Sequence, residues 1–425
     1  MKNVANNELP KIAIIGGGAA GFMAAIRAKE VNRHASICIY ESTGKVLAKV
    51  ALTGGGRCNL TNTFAQVSDM KQVYPRGGRL MERLFHQFDN RNVMNWFESH
   101  GVQLLVQDDE RVFPLSQSSQ SVIDCLLGEA YRRGVEICLR HALNGIQVCG
   151  DKLRLSFDGG EAVEADCVIL ATGGLSQGKL YKVLSQLGHE MKEPVPSLFT
   201  FNVRNDDLRG LMGTDVRDVA IHIEGTKYNS VGAMLITHWG LSGPAVLKLS
   251  SQAAPWMKAH DYRFQLYINW MGNANATAVG ASINELLLDN KKSLVKNVKP
   301  SHLSSRLWEY LLVRAGLDVD KRCDELGKKG LNKLVEVLIH DIYAVDGKSR
   351  WRDEFVTCGG VSLAAIHPNT MESRAVDGLF FAGEMLDIDG ITGGFNLQAA
   401  WTTGYVAGEN AVLGRKQGKG LPNNP

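Results

Sequence analysis

"KIAIIGGGAAGFMAAIRAKE", residues 11–30, decides how the rest of the chain is read. Ile12, Ala13, Ile14 and Ile15 form a short continuous apolar run, as expected of a strand buried on both faces of a parallel sheet. Gly16, Gly18 and Gly21 follow in a G-x-G-x-x-G pattern, with Ala19 and Ala20 between the last two. The next stretch, "FMAAIRAKEV", has the small and apolar residues of a packed helix. The chemistry asks for this order. The first glycine permits the tight turn, the second lets backbone approach a pyrophosphate, and the third lets helix and strand pack closely. Free N–H groups and the helix dipole then attract phosphate. A second strand, "SICIYE", ends in Glu41, twenty residues after Gly21, where an acid can hold a ribose hydroxyl. An unliganded glycine turn would need none of this context. Glu41 also disfavours a 2′-phosphate, which leaves FAD or NAD rather than NADP at this site.

Composition agrees with a globular protein. The chain has 425 residues, 44% hydrophobic and 21% charged, enough for two or three domains. A net charge of +3 is small for that size and argues against a general nucleic-acid binder, so no nucleic-acid partner is expected. The N-terminus lacks a secretory pattern and no apolar run reaches membrane-spanning length, so the expected location is the cytoplasm, with no membrane association. Eight cysteines are scattered with no C-x-x-C pair. Neither a disulfide framework nor a metal site is expected.

Three further segments separate FAD from NAD. In "ADCVILATGGLS" an apolar strand ends in Ala171, Thr172 and Gly173, resembling the strand-end A-T-G of two-dinucleotide-binding flavoproteins. In "VDGLFFAGEMLD" a strand ends in Gly383 and Glu384, where such enzymes place an acid on the ribityl chain. In "GITGGFNLQAAWTTGYVAGENAV", Gly393 and Gly394 lead into a long helix whose N-terminus can stabilise negative charge on a reduced flavin. Each is common alone. In this order they point to FAD bound jointly by the two ends of the chain. No His or Cys is placed for a covalent link, so the FAD is expected to be non-covalent.

"IIGGGAAG", "GKVLAKVALTGGGRCNLTN", "ERVFPLSQSSQSVIDCL", "ILATGGLS", "THWGLSGPAVLKLS" and "FAGEMLDIDGITGGFNLQAAWTTG" together resemble the bacterial BaiN/RdsA-type NAD(P)/FAD-dependent oxidoreductases, Rossmann-fold flavoproteins, over nearly the whole chain. Thr53 stands where that family would have serine, with the hydroxyl kept. The resemblance implies an α/β fold: a discontinuous Rossmann-like FAD domain with an inserted antiparallel β domain and a small helical domain. It also extends the cofactor site to Lys49, Leu143, Phe395, Asn396 and Leu397. The sequence supports the division. Beyond Pro194 and Pro196 the pattern alternates like half-buried antiparallel strands, then takes helical spacing. The expected boundaries are 1–195 and 346–425 for the FAD domain, 196–274 for a β-rich substrate or lid domain, and 275–345 for the helical domain. Residues 1–9 and 416–425 are expected to be irregular.

The expected chemistry is hydride transfer between flavin N5 and a small organic molecule. No second G-x-G-x-x-G exists, so NAD(P)H, which the resemblance favours, would dock only transiently as donor. A flavin-dependent RNA-modifying enzyme and an FAD-binding sensor without turnover are the alternatives. The loop "TGGGRCNLTN" lies beyond Glu41 along the cofactor. There Gly54, Gly55 and Gly56 let backbone lie against the ring system, Arg57 and Asn59 supply donors, and Thr53 is counted in the cofactor site. Cys58 lacks a nearby resolving cysteine, so it reads as a neighbour of the flavin before a redox thiol. No catalytic residue is assigned. Cys58 and His238, in "THWGLSGP", are the weak candidates.

Overall fold

A computed structural model of the chain describes residues 9–204, 206–348 and 356–417. These fold as two compact units. One is built from the chain up to Pro194 and from Val356 onward, the other from Val195–Phe355.

The first unit is organised by a five-stranded, all-parallel sheet. Its spatial order is Leu379–Phe381, Cys167–Leu170, Lys11–Ile15, Ser36–Glu41 and Glu136–Leu139. The apolar runs are what such a sheet demands, since both faces are covered: Ile12, Ile14, Val168, Ile169 and Phe381 are all buried. Ile15 pairs with Leu170 on one side and Tyr40 on the other, and Leu170 pairs with Phe381. Four strands therefore end together. That edge gathers Gly16, Glu41, Ala171 and Gly383, though they are far apart in sequence. Ligands of open α/β sheets bind at the carboxyl ends of the strands.

Two helices lie across each other at this edge, Ala19–Val31 and the long closing helix Phe395–Gln417. Their contact is made of small residues. A Cβ placed on Gly404 would lie 2.4 Å from the Ala20 carbonyl oxygen, and one on Gly408 would lie 2.2 Å from that of Ala24. The C-terminal segment is thus clamped onto the N-terminal nucleotide motif. Beside Glu41 sits a three-stranded antiparallel sheet, Leu143–Cys149, Lys152–Phe157 and Ala162–Ala165.

The second unit is a closed barrel of six strands, in the order Phe201–Val203, Gly240–Ser242, Asn229–Ile236, Asp215–Ile223, Arg263–Asn269 and Asp341–Lys348. Between its last two strands the chain forms three helices, Ala276–Asp289, Ser305–Arg314 and Gly327–Ile339. Barrel and helices share one core that includes Trp270, Trp308, Leu311 and Leu334. The helical spacing expected through residue 345 stops at Ile339. From Asp341 to Val345 burial alternates residue by residue, with Tyr343 and Val345 inward and Ile342 outward. That period of two belongs to a strand, and it pairs with Arg263–Asn269. Asp341 is nearly fully buried. It accepts from Trp270 Nε1 (3.0 Å) and Tyr343 OH (2.6 Å) and pairs with Arg314, tying the helices to the barrel.

Among the described residues no helix is long and apolar enough to cross a membrane. The terminal stretches expected to be irregular lie outside the described residues except Leu9, Lys416 and Gln417, and the closing helix continues to Gln417.

Candidate functional site

The phosphate end is built by three glycines with different duties. Gly16 has φ +111°, and a Cβ there would lie 2.3 Å from the Ala171 carbonyl oxygen. A Cβ on Gly21 would lie 2.0 Å from the Gly16 carbonyl oxygen. Both positions are filled by backbone. Gly18 differs, because nothing lies within 4 Å of its would-be Cβ. Open space is thus kept in front of the helix that begins at Ala19 and Ala20, and no side chain caps that helix. Its free N–H groups and dipole suit a pyrophosphate.

Glu41 stands beside this space. Its carboxylate accepts from Gly17 N (2.9 Å), Thr43 N (2.8 Å), Thr43 Oγ1 (2.9 Å) and Ser42 Oγ (3.2 Å). Partial burial works against the ionised form, but these hydrogen bonds prevail and hold the carboxyl below its usual range. Three of the four donors sit on Oε1. Oε2, with one, keeps room for a hydroxyl donor such as a ribose. Leu143 is close by in the chain's path: His141 N–H donates to the Glu41 carbonyl (2.8 Å), and Leu143 pairs with Phe157, which stacks on Tyr40 at 4.8 Å.

The loop after Glu41 leads back across the sheet edge. Gly54, Gly55 and Gly56 all have positive φ, between 59° and 86°. Gly54 is enclosed, with Asn59 N and Phe113 each 2.9 Å from its would-be Cβ. Gly55 has nothing within 4 Å, and the nearest atom to Gly56 is at 4.0 Å, so these two present bare backbone to open space. Thr53 Oγ1 donates to the Val50 carbonyl (2.9 Å), which fixes the loop's entry. Arg57 lies 4.4 Å over the Phe113 ring, with Nε on the Gly54 carbonyl (3.1 Å) and Nη1 on Gln117 (3.3 Å). Those contacts turn Arg57 toward its own loop. Cys58 is fully buried at φ +63°, and burial pushes its thiol up to about 12. It is a protonated core thiol at neutral pH, which removes the thiolate a redox role would need. The Asn59 amide bridges two distant segments, donating to the Thr61 carbonyl (3.2 Å) and accepting from Gly394 N–H (2.9 Å).

The far end joins the remaining motifs. Glu384 accepts from Lys49 Nζ (2.6 Å) and Thr357 N–H (2.9 Å), and a Cβ on Gly173 would lie 3.5 Å from its Oε2. Thr172 is exposed beside Gly173. Gly383 N–H donates to Thr403 Oγ1 in the closing helix (2.8 Å). At that helix's N-terminus Gly394 has φ +93°, and a Cβ would lie 2.3 Å from the Thr61 carbonyl oxygen. Phe395 is buried edge-on against Phe64 and Tyr74, Asn396 closes the preceding turn through both N–H and C=O of Gly390 (2.8 Å each), and Leu397 is half-buried. Lys49, the 53–59 loop, Gly173, Glu384 and Gly394 thus line one continuous edge. His238 is exposed in the barrel unit, its ring 4.0 Å from Trp239 and its carbonyl accepting from Arg209 Nε (2.8 Å).

Some polar residues at this edge escape a sequence reading. Thr61 and Gln398 hydrogen-bond inside the core, and a buried ion pair joins Arg76 to Asp389, which is fully buried. The acids of "LDIDG" were the available signal, since charged residues between glycines and apolar residues are rarely buried without a purpose.

The residues fit a flavin dinucleotide. Open backbone at Gly18 faces a helix N-terminus, an ionised acid stands at the ribose position, and bare backbone at Gly55 and Gly56 suits a flat ring. Fold and cradle together define an FAD-dependent oxidoreductase of the Rossmann type. The chain belongs to the HI0933-like Rossmann-domain family, whose model matches residues 10–410. It is 30% identical over 420 residues to the 3-dehydro-bile acid Δ(4,6)-reductase of Clostridium scindens, covering 95% of this chain and 99% of that protein. It is 28% identical over 417 residues to the ribosomal RNA dihydrouridine synthase of Escherichia coli, covering 95% and 98%. Among solved structures, the 3-ketosteroid Δ1-dehydrogenase of Sterolibacterium denitrificans shares the fold, with a TM-score of 0.50 at 10% identity, over 95% of this chain and 99% of that one.

Proposed function

We propose that the protein is a reductase that saturates a carbon–carbon double bond conjugated to a carbonyl in a small organic molecule, using bound FAD and NAD(P)H as the transient donor. The carrying observation is the pair of full-length relatives whose names share one chemistry. A Δ(4,6)-reductase of a 3-oxo compound and a dihydrouridine synthase both saturate a ring double bond activated by a carbonyl. FAD, when bound, supplies two-electron hydride chemistry. The chain's own residues hold and shield it. Gly18 with the N–H groups at Ala19, Ala20 and Gly21 receives the pyrophosphate, Glu41 the ribose, and Glu384, set by Lys49 and Thr357, the ribityl chain. Gly55, Gly56 and the Gly394 end of the closing helix flank the ring, where the helix dipole favours negative charge.

A second reading has its own support. Relatives from two organisms are named ribosomal RNA dihydrouridine synthases, and residues 291–333 carry 11 Lys and Arg against 5 Asp and Glu. In that reading the reduced ring is a uridine in RNA.

One experiment addresses both. The purified protein is reduced anaerobically with NADH or NADPH while the flavin band is followed. It is then mixed with a 4,6-dien-3-one steroid or with a uridine-containing ribosomal RNA transcript. Flavin bleaching, then re-oxidation by the steroid with gain of two hydrogens in the product, is the expected result. Re-oxidation by the transcript alone would replace it with the RNA reading. No bleaching with either nucleotide would remove NAD(P)H as donor, and no re-oxidation by either probe would sink double-bond reduction.

A further inference from the structure

The strand Val356–Val361 runs past the loop between Glu384 and Gly394. Its Thr357 N–H donates to Glu384 (2.9 Å) and its Gly359 N–H donates to the Asp387 carboxyl. N–H groups two residues apart on a strand point to the same side. The two carboxyls therefore lie along one edge of that strand, and the Asp387 N–H returns to the Val361 carbonyl (2.9 Å). Glu384 is engaged by Lys49, and Asp389, fully buried, is engaged by Arg76. Asp387 is the acid on this edge with no ion-pair partner among the described residues. It is half-buried, three residues after Glu384 in the chain and six before Gly393. We propose that Asp387 is the acid that delivers the proton in double-bond saturation, a role that rests on the reading of the chain as a reductase.

The balance is simple. Saturation adds a hydride to one carbon and a proton to the other. The hydride carries two electrons from the reduced flavin to the carbon distal to the carbonyl, and the π pair shifts toward the carbonyl. The Asp387 O–H bond breaks, its proton goes to the carbon next to the carbonyl, and the resulting carboxylate is re-protonated from water. An acid suited to this must still hold its proton near neutral pH. The surroundings of Asp387 favour that. Burial, with Asp389 beside it, raises its carboxyl, against the opposing pull of Arg76, Lys192 and the Gly359 N–H. Cys358, the other titratable group on that strand, is neutral, its buried thiol pushed up to about 12.

The test uses the flavin-loaded full chain and the variants Asp387→Asn and Asp387→Glu, each first checked for bound FAD. Infrared difference spectra on flavin reduction should show a protonated-carboxyl band in the wild type that is absent in Asp387→Asn. Reduction by NAD(P)H should be unchanged. Re-oxidation of the reduced protein by a 4,6-dien-3-one steroid should slow roughly 100- to 10,000-fold in Asp387→Asn. Asp387→Glu should recover part of that rate with a displaced alkaline limb. An unchanged band or an unchanged re-oxidation rate in Asp387→Asn overturns the proposal. If the wild type is re-oxidised by neither the steroid nor RNA, the reductase reading fails, and the infrared band alone decides: its persistence in Asp387→Asn overturns the proposal, and its loss retains Asp387 as the flavin-linked acid.

Discussion

Replacing Gly404 by alanine sets two effects of opposite sign against each other. Glycine to alanine inside a helix ordinarily stabilises by about 1 kcal/mol, because the glycine backbone has more freedom to lose. At Gly404 the new methyl would sit 2.4 Å from the Ala20 carbonyl oxygen and 3.1 Å from Ala20 Cα. Those are backbone atoms of the opening helix and cannot swing aside as a side chain would. Over-packing of this kind costs roughly 1–3 kcal/mol, so the loss prevails. The helices must separate, and Ala20 moves with them, two residues from the open space at Gly18. FAD affinity should fall together with stability. Gly414, in the same helix, supplies the control, because nothing lies within 4 Å of its would-be Cβ. There only the helix preference operates. Thermal unfolding should therefore show Gly404→Ala melting below wild type and Gly414→Ala at or above it, by roughly 2–4 °C per kcal/mol. Flavin fluorescence during dialysis reads the affinity. A Gly404→Ala protein that melts at or above the wild-type temperature would refute the close-packing argument.

Other outcomes follow from single environments. Glu41→Gln removes a charged acceptor and should weaken FAD binding roughly ten-fold, read by equilibrium dialysis. Because hydrogen bonding holds the Glu41 carboxyl below its unfolded value, its contribution is present above the ordinary carboxylate range and disappears as pH falls through the lowered folded value. FAD should consequently be released on the acid side in the wild type, whereas Glu41→Gln, which has no carboxyl to protonate there, should bind more weakly at neutral pH and lack that acid limb. Mass-spectrometric mapping of alkylation at neutral pH should find the exposed Cys149 modified first and Cys58 only after unfolding, since a thiol at about 12 is almost wholly protonated. Asp341→Ala leaves Arg314 without its buried partner and strips acceptors from Trp270 and Tyr343, so the barrel unit should lose about 3–5 kcal/mol in urea unfolding.

The parts of the site that read plainly in the sequence are those where a residue type is forced by local backbone. Gly21 must be glycine because the Gly16 carbonyl oxygen occupies the place of its Cβ, and Gly16 must turn the chain at φ +111°, so the strand–turn–helix carries both signals locally even though the distant Ala171 carbonyl also closes over Gly16. What the sequence hid depends on contacts across hundreds of residues. Asn59 meets Gly394, Lys49 meets Glu384, and Arg76 meets Asp389, and none of these pairs has a local signature. The same distinction explains the strand Asp341–Lys348. It follows a helix after a single residue, and its alternation of buried and exposed side chains is clear only once barrel pairing with Arg263–Asn269 assigns inside and outside. It also explains why Cys58 attracts attention in "GGGRCN" and then recedes. A cysteine among glycines looks exposed and reactive, yet its left-handed backbone turns the thiol into the core and leaves bare peptide facing outward. The loop's chemical offering is therefore its backbone at Gly55 and Gly56. The ionisable chemistry sits across the sheet edge in the "LDIDG" loop, where one acid is tied to Arg76 and its neighbour Asp387 is left to handle a proton.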